Sequence, residues 1–128
     1  MRTIMLTGTT VFNASTSDIA IPCSPAFRTN TMAKARGDIC VIGLNGMLQV
    51  ALGIQTSDDG QTWSDHTGTL IIGYSNTVGW IHATTYADLS TYTAASQYYR
   101  FVYYVKLSSG TVLSTAYVYG SVDPVAMT

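Results

Sequence analysis

The stretch LQVALGIQTSDDGQTWS, residues 48–64, decides the fold. Its first nine residues alternate with a period of two, so that apolar side chains share one face of an extended chain. That face holds Leu48, Val50, Leu52, Ile54 and Thr56. The opposite face holds Gln49, Ala51, Gly53 and Gln55, which are polar or small. Such alternation is typical of a β-strand with one buried face.

A turn follows this strand. Asp59-Gly60 is a favoured pair for reversing the chain between two strands, because glycine accepts a left-handed backbone conformation. Ser57 and Asp58 can bond to the backbone of the turn, and Trp63 can fold back over the sheet as an apolar plug. The stretch therefore predicts a β-hairpin whose return strand is anchored by Trp63.

Further strands are expected on both sides of this hairpin. Residues 97–107 are apolar on both faces, and the Ser-Ser-Gly that follows predicts a second hairpin turn into the strand TVLSTAYVYG. We also expect strands at about residues 3–7, 28–34, 38–44, 69–74 and 78–86. Arg36-Gly37-Asp38 is expected as a turn between two of them. Residues 86–96 are expected to form a single helical turn or a loop, which Asp88 could cap.

Strands of this length, separated by Gly, Asn, Asp and Ser turns, indicate an antiparallel sandwich or a barrel. We predict an all-β protein built as an antiparallel β-sandwich, of which a jelly roll is one candidate form. The 128 residues are expected to form one domain. Because alternation is weak near the N-terminus, residues 1–25 are predicted to be an irregular arm, and residues 121–128 are predicted to be a short tail.

Composition argues against several classes of function. Only 10% of the residues are charged, against roughly 25% in an ordinary soluble domain, and the six basic residues are spread along the chain. Nucleic acid is not expected as a partner, because it would need a clustered basic face. No membrane contact is expected either, since no apolar run reaches the ~18 residues of a membrane span. No signal peptide is recognisable, so we expect synthesis in the cytoplasm.

No constellation for catalysis or metal binding stands out. No serine lies in a G-x-S-x-G elbow, and the acids around the hairpin do not match the spacing of a calcium loop. We predict a protein that is not an enzyme, with no catalytic residue, cofactor or metal. His66 is expected in solvent, and His82 in packing or in an interface. Cys23 and Cys40 have two open interpretations, buried free thiols or a disulfide.

Nine tyrosines and two tryptophans carry the remaining signal. Such rings form cross-strand pairs in a core, contacts between subunits, or platforms for sugars. Four aromatic residues are predicted in the core: Tyr99, Phe101, Tyr103 and Tyr117. Four others are predicted to form an outward patch: Trp80, Tyr98, Tyr104 and Tyr119. Together with Trp63, this outward set supplies the candidate residues for an interface or for ligand stacking.

Two resemblances bear on function. One set of hairpin residues resembles the S-x-D-G-x-T-W hairpin of discoidin-like and other carbohydrate-associated β-sandwiches: Ser57, Asp59, Gly60, Thr62 and Trp63. That resemblance implies a type of turn. In its small size, its Thr/Ser/Gly/Tyr-rich composition and its scarcity of charge, the whole chain resembles bacteriophage virion proteins such as capsid, decoration or tail-associated subunits.

The resulting prediction is a non-enzymatic structural subunit of a multimeric particle, most concretely a phage virion, made in the host cytoplasm. Its partners would be further copies of itself, as a homo-oligomer, and other virion proteins, held through sheet edges and aromatic patches. The alternative prediction is a carbohydrate-binding or host-attachment module that stacks sugars on Trp63, Trp80 and nearby tyrosines.

Overall fold

A computed structural model describes residues 3–126, except for the side chain of Thr31. Within that range the chain forms eleven β-strands, one short α-helix and one 3-10 turn at Thr29–Thr31. The elements are β1 (Ile4–Asn13), β2 (Ile19–Pro22), β3 (Phe27–Arg28), β4 (Lys34–Asn45), β5 (Leu48–Ser57), β6 (Ser64–His66), β7 (Ile72–Ser75), β8 (Gly79–His82), β9 (Ala87–Asp88), α1 (Ser90–Ala94), β10 (Tyr98–Leu107) and β11 (Ser114–Val125).

The strands form two antiparallel sheets. Sheet A has the order β1-β11-β4-β8, and β9 also pairs with β4. Sheet B has the order β2-β10-β5-β6, while β3 pairs with β10 and β7 pairs with β5. The predicted all-β sandwich is confirmed.

The pairing follows a long hairpin that is wrapped around itself. The first half of the chain pairs with the returning half: β1 with β11, β2 and β3 with β10, β4 with β8 and β9, and β5 with β6 and β7. When the hairpin wraps around itself, β11 pairs with β4 and β10 pairs with β5, and these are the two longest strand pairings. Two four-position antiparallel sheets connected in this way form a jelly roll.

The core lies between the two sheets and is built from alternate residues of the long strands. Tyr99, Phe101 and Tyr103 of β10 are fully buried there, as predicted. In contrast to the prediction of one buried face, β5 is buried on both faces from Val50 to Ser57, and only Gln49 is half-buried. The reason is that β5 lies inside sheet B, and other parts of the chain cover its outer face.

Three sequence-based expectations about the strands are wrong. Beyond the strand expected at residues 3–7, the N-terminal part is not an irregular arm over residues 8–13 and 19–22, because backbone hydrogen bonds to β11 and β10 hold these segments as strands. Residues 121–125 of the expected C-terminal tail belong to β11, which pairs on both edges. Arg36-Gly37-Asp38 is not a turn, since β4 runs straight through it, while the strand expected at residues 28–34 contains the 3-10 turn. The outermost parts of the expected arm and tail, residues 1–2 and 127–128, lie outside the described residues.

The single helical turn expected between residues 86 and 96 is present as α1. The Asp88 carboxylate accepts hydrogen bonds from the backbone N–H of Ser90 at 3.0 Å and from the Ser90 hydroxyl at 2.6 Å. These bonds lower the pKa of Asp88. The prediction that Asp88 caps the helix is wrong, because Leu89 is the N-cap residue and no side chain makes a cap bond. Asp88 lies one residue earlier and bonds to Ser90 from there.

Both cysteines are buried free thiols, which settles the choice left open by the sequence. Cys23 lies in the core between the sheets, whereas Cys40 lies on the outward-facing side of β4. Burial raises the pKa of the Cys23 thiol to about 12, with a hydrogen bond to Tyr103 acting in the opposite direction. Cys23 is therefore a packing residue and not a nucleophile.

Replacing Gly120 by alanine is expected to destabilise the protein severely. A Cβ atom at Gly120 would lie 2.0 Å from the Asp38 carbonyl oxygen and 2.9 Å from the Ile39 Cα, so the β11 and β4 backbones would have to separate. We expect Gly120→Ala to reduce the free energy of unfolding by about 3 kcal/mol, as for other overpacked cores. Denaturant unfolding measures this loss.

Gly73→Ala is the matched control, because a Cβ atom there has no heavy atom within 4 Å. Equal midpoints for the two variants would contradict the close approach of β11 to β4.

Candidate interaction surface

The hairpin predicted from residues 48–64 is present between β5 and β6. Thr56 pairs with Ser64, so the loop is longer than a two-residue reversal. Gly60 takes the left-handed conformation with φ of 77°, as expected for its place in the turn. The left-handed conformation of Gly60 is therefore as predicted, whereas the loop is longer than predicted.

Two side chains hold the loop through hydrogen bonds to its own backbone. The Asp59 carboxylate accepts from the N–H groups of Gln61 and Thr62, both at 2.8 Å, and from the Ser57 hydroxyl at 3.0 Å. Ser57 Oγ in turn accepts from the Gly60 N–H at 2.9 Å. These bonds lower the pKa of Asp59, with the Thr62 bond as the largest cause. The Asp59 carboxylate is thus used in hydrogen bonds within the turn.

Trp63 lies against the outer face of sheet B under a cation. The Arg100 guanidinium carbon is 4.1 Å from the centroid of the Trp63 ring, a close cation–π contact. Arg100 Nε donates to Gln55 Oε1 at 2.9 Å, and Gln55 Nε2 donates to Asp65 Oδ1 at 2.8 Å. Trp63 is half-buried by this network, and one face of its ring is covered by its own chain.

Tyr104 is fully buried, so the prediction that it belongs to an outward patch is wrong. Its position on β10 does point away from the main core, but Leu70 and Tyr74 pack over it in a small second core. The Tyr104 hydroxyl donates to the Ile54 carbonyl at 2.7 Å and accepts from the His66 N–H at 2.9 Å. The segment after β6 therefore covers the outer face of sheet B.

Two further residues of sheet B are partly covered. Tyr98 is half-buried, and the Arg28 guanidinium carbon lies 5.1 Å from its ring centroid. His66 was expected in solvent, but it is half-buried with its ring stacked on Tyr92 at 4.1 Å. Burial lowers the pKa of His66. The outer face of sheet B is thus closed by the protein itself.

The outer face of sheet A is open. Trp80, on the edge strand β8, is 52% exposed, and its ring meets the Tyr119 ring edge-on at 5.4 Å. The Tyr119 ring lies 6.2 Å from that of Tyr117, and Tyr117 pairs with Ile42 on β4. Phe12 on β1 is exposed at the end of the same face. We define the aromatic patch as Phe12, Ile42, Trp80, Tyr117 and Tyr119.

Charged residues occupy the other half of this face. His82 Nδ1 lies 2.7 Å from Asp38 Oδ1, and Arg36 Nη2 lies 3.3 Å from Asp123 Oδ2. We define the polar half as these four residues together with Ser121, which pairs with Asp38. Met5, which is highly exposed, pairs with Ser121 at the β1 edge of the polar half. The face therefore divides into an apolar end and an ion-paired end.

The five candidate residues from the sequence do not come together. Trp80 and Tyr119 lie in the aromatic patch, Trp63 and Tyr98 lie on the opposite side of the sandwich, and Tyr104 is buried. The prediction that Tyr117 is a core residue is wrong, because 41% of it is exposed.

The missing members of the patch could in part have been found from the sequence. Tyr117 and Tyr119 are two positions apart on one strand, so they must point to the same face. Phe12 and Ile42 offered no comparable signal, because their partners are far away in sequence.

A cleft of about 540 Å³ opens between β7 and the chain around β8, and it offers few reactive groups. Among the described residues that line it, His82 is the one titratable side chain. Among residues 3–126, no three His, Cys, Asp or Glu side chains are grouped so that they could hold a metal ion. No helix in the same range has the length and apolar character needed to cross a membrane.

Comparison of the chain with known protein families, curated proteins and solved structures found no match.

Replacing Asp59 by alanine is expected to lower the melting temperature by a few degrees at neutral pH. Asp59 stabilises the loop only while its carboxylate is charged, and its pKa is lowered in the folded state. The contribution is therefore present above the unfolded value of 3.8 and is lost as the pH falls through the lower folded value.

Thermal unfolding of Asp59→Ala and of the matched control Asp58→Ala, followed from pH 7 down to pH 2, measures this effect. The gap between Asp59→Ala and the unsubstituted protein should close in acid. A larger loss of melting temperature for Asp58→Ala than for Asp59→Ala would mean that Asp58, and not Asp59, holds the turn.

Proposed function

We propose that this protein is a non-enzymatic structural subunit that assembles through the aromatic patch of sheet A. The observation that carries the proposal is the difference between the two outer faces of the sandwich. Sheet B is closed by its own chain, whereas sheet A leaves large apolar side chains open across all four strand positions. A contiguous apolar area with a polar border is the usual mark of a protein-binding surface.

Scarcity of charge supports assembly as well. The formal net charge is −1, Arg36 and Asp123 of the polar half form an ion pair, and Asp38 is hydrogen-bonded to His82. Copies of the chain would therefore meet with little electrostatic repulsion.

The particle to which such a subunit belongs is most concretely a phage virion. Jelly rolls serve as capsid subunits as well as lectin domains, so the fold is compatible with this proposal by analogy. In that setting the protein would be made in the host cytoplasm and would contact further copies and other virion proteins.

One observation favours the alternative function of carbohydrate binding. The Trp80 ring lies parallel to the His82 ring at 5.7 Å, and His82 contacts Asp38, so an aromatic platform stands beside hydrogen-bonding groups. Sugar sites combine such elements. Phe12 and Ile42 extend the surface with side chains that offer nothing to a sugar hydroxyl, which favours a protein partner.

Sedimentation velocity tests the proposal. We expect the protein to self-associate between about 10 μM and about 1 mM, the range of a weak interface. The double substitution Trp80→Lys/Tyr117→Lys should leave a monomer, because association would bury two unpaired charges. Thr62→Lys is the control, since Thr62 is exposed on the hairpin of sheet B.

A glycan array separates the two candidate functions. A protein that stays monomeric at about 1 mM, and that binds a polysaccharide which Trp80→Ala no longer binds, would overturn the structural proposal in favour of the carbohydrate module. Trp63→Ala is the matched tryptophan control on the opposite face.

A further inference from the structure

We propose that the aromatic patch is covered by the same patch of a second copy. The two copies are related by a two-fold axis that lies in the plane between the facing sheets, at right angles to the strands and along the row of Tyr117 and Ile42. This inference rests on the proposed function, since it names the partner and the geometry of the same surface. An isologous contact of this kind requires a surface that complements itself.

The distribution of side chains along the strands places the axis. Tyr117 and Ile42 are directly paired and lie in the middle of the patch, with Phe12 towards one end of the strands and Tyr119 and Trp80 towards the other. An axis along this middle row sets Tyr117 and Ile42 over their own counterparts and places Phe12 of one copy, on β1, beside Tyr119 of the other, on the neighbouring strand β11.

Moving the axis by one outward-facing row gives a worse fit. An axis along the row of Tyr119 would set Ile42 over Asp38 of the second copy and Tyr117 over Ser121, with Phe12 beside Asp123 of the ion pair. Removing water from these charges without giving them new partners is unfavourable. With the axis at Tyr117 and Ile42, the ion pairs stay at the rim, where water still reaches them.

The size of the patch sets the strength of the contact. Four strands about 4.8 Å apart and about 20 Å of strand length cover roughly 400 Å² on each copy. The total for two copies is then about 800 Å², below the ~1,200 Å² of a standard stable interface. The pair is expected to be weak in solution and to persist where further contacts hold the same copies together.

Exposed apolar residues also occur in the loop at the Phe12 end of β11. Val112 and Leu113 directly precede β11, and both are strongly exposed. Their loop is tied to the β4–β5 turn by the hydrogen bond from the Ser108 N–H to the Met47 carbonyl at 2.9 Å. No charged residue occurs between positions 107 and 114, so this loop adds no charge to the contact.

Cross-linking of single cysteines tests the axis, with every variant made in a Cys40→Ser background to remove the native thiol of this face. Facing sheets pack about 10 Å apart, so a bis-maleimide of about that span should join two copies of Ile42→Cys into a covalent dimer. Ser121→Cys should not be joined, because Ser121 lies about 14 Å along the strand from Tyr117 and thus about 28 Å from its mate. Thr62→Cys on the opposite sheet is the matched control.

Adding Tyr117→Lys to the Ile42→Cys variant should abolish the covalent dimer, which excludes random collision as its cause. Sedimentation of the same variants separates this inference from the proposed function. Self-association without cross-linking at Ile42→Cys, or with stronger cross-linking at Ser121→Cys, would overturn the two-fold arrangement alone. A protein that remains monomeric at about 1 mM and gives no covalent dimer would overturn both.

Discussion

The close approach of β11 to β4 at Gly120 is the constraint on which both sides of sheet A depend. Only a residue without a Cβ atom fits there, and Gly120 is buried on the side of β11 that faces the interior. Because side chains alternate along a strand, Ala116, Val118 and Val122 then enter the core, and they are buried. Tyr117 and Tyr119 are forced to the outer face by the same alternation. The aromatic patch is thus a direct consequence of how the sandwich closes.

The outer faces of the two sheets differ in whether the protein's own chain covers their aromatic side chains. On sheet B, Tyr104 also points away from the main core, but the segment after β6 returns and places Leu70 and Tyr74 over it. On sheet A the edge strand β8 is short, and the described chain leaves the surface beyond Trp80 open. The chain covers the aromatic side chains of sheet B and leaves those of sheet A uncovered. The outer face of sheet A is therefore a surface suited to a partner.

Local patterns predicted the fold class well and the surfaces poorly. Alternation in β5 and the left-handed Gly60 of the hairpin are matters of neighbouring residues, and both were recognised. Of the strand in residues 4–13, only the part up to residue 7 was predicted. Threonines and small residues give the rest little apolar alternation, while its hydrogen bonds come from β11, more than a hundred residues later. The cover over Tyr104 is equally non-local, so position on a strand could not reveal that this ring is buried.

Weak self-association is what the proposed role as a subunit of a larger particle would require. Burying apolar surface contributes about 25 cal/mol per Å², and the loss of translational and rotational freedom offsets most of that gain for a patch of this size. A single pair of copies would therefore exchange readily with free subunits, which prevents premature aggregation of a protein with only 10% charged residues. Once other contacts hold the copies near each other, the same patch acts at a high effective concentration and no longer bears the full entropic cost of association. The modest size of the patch, and not its hydrophobicity alone, is what makes it suitable for regulated assembly.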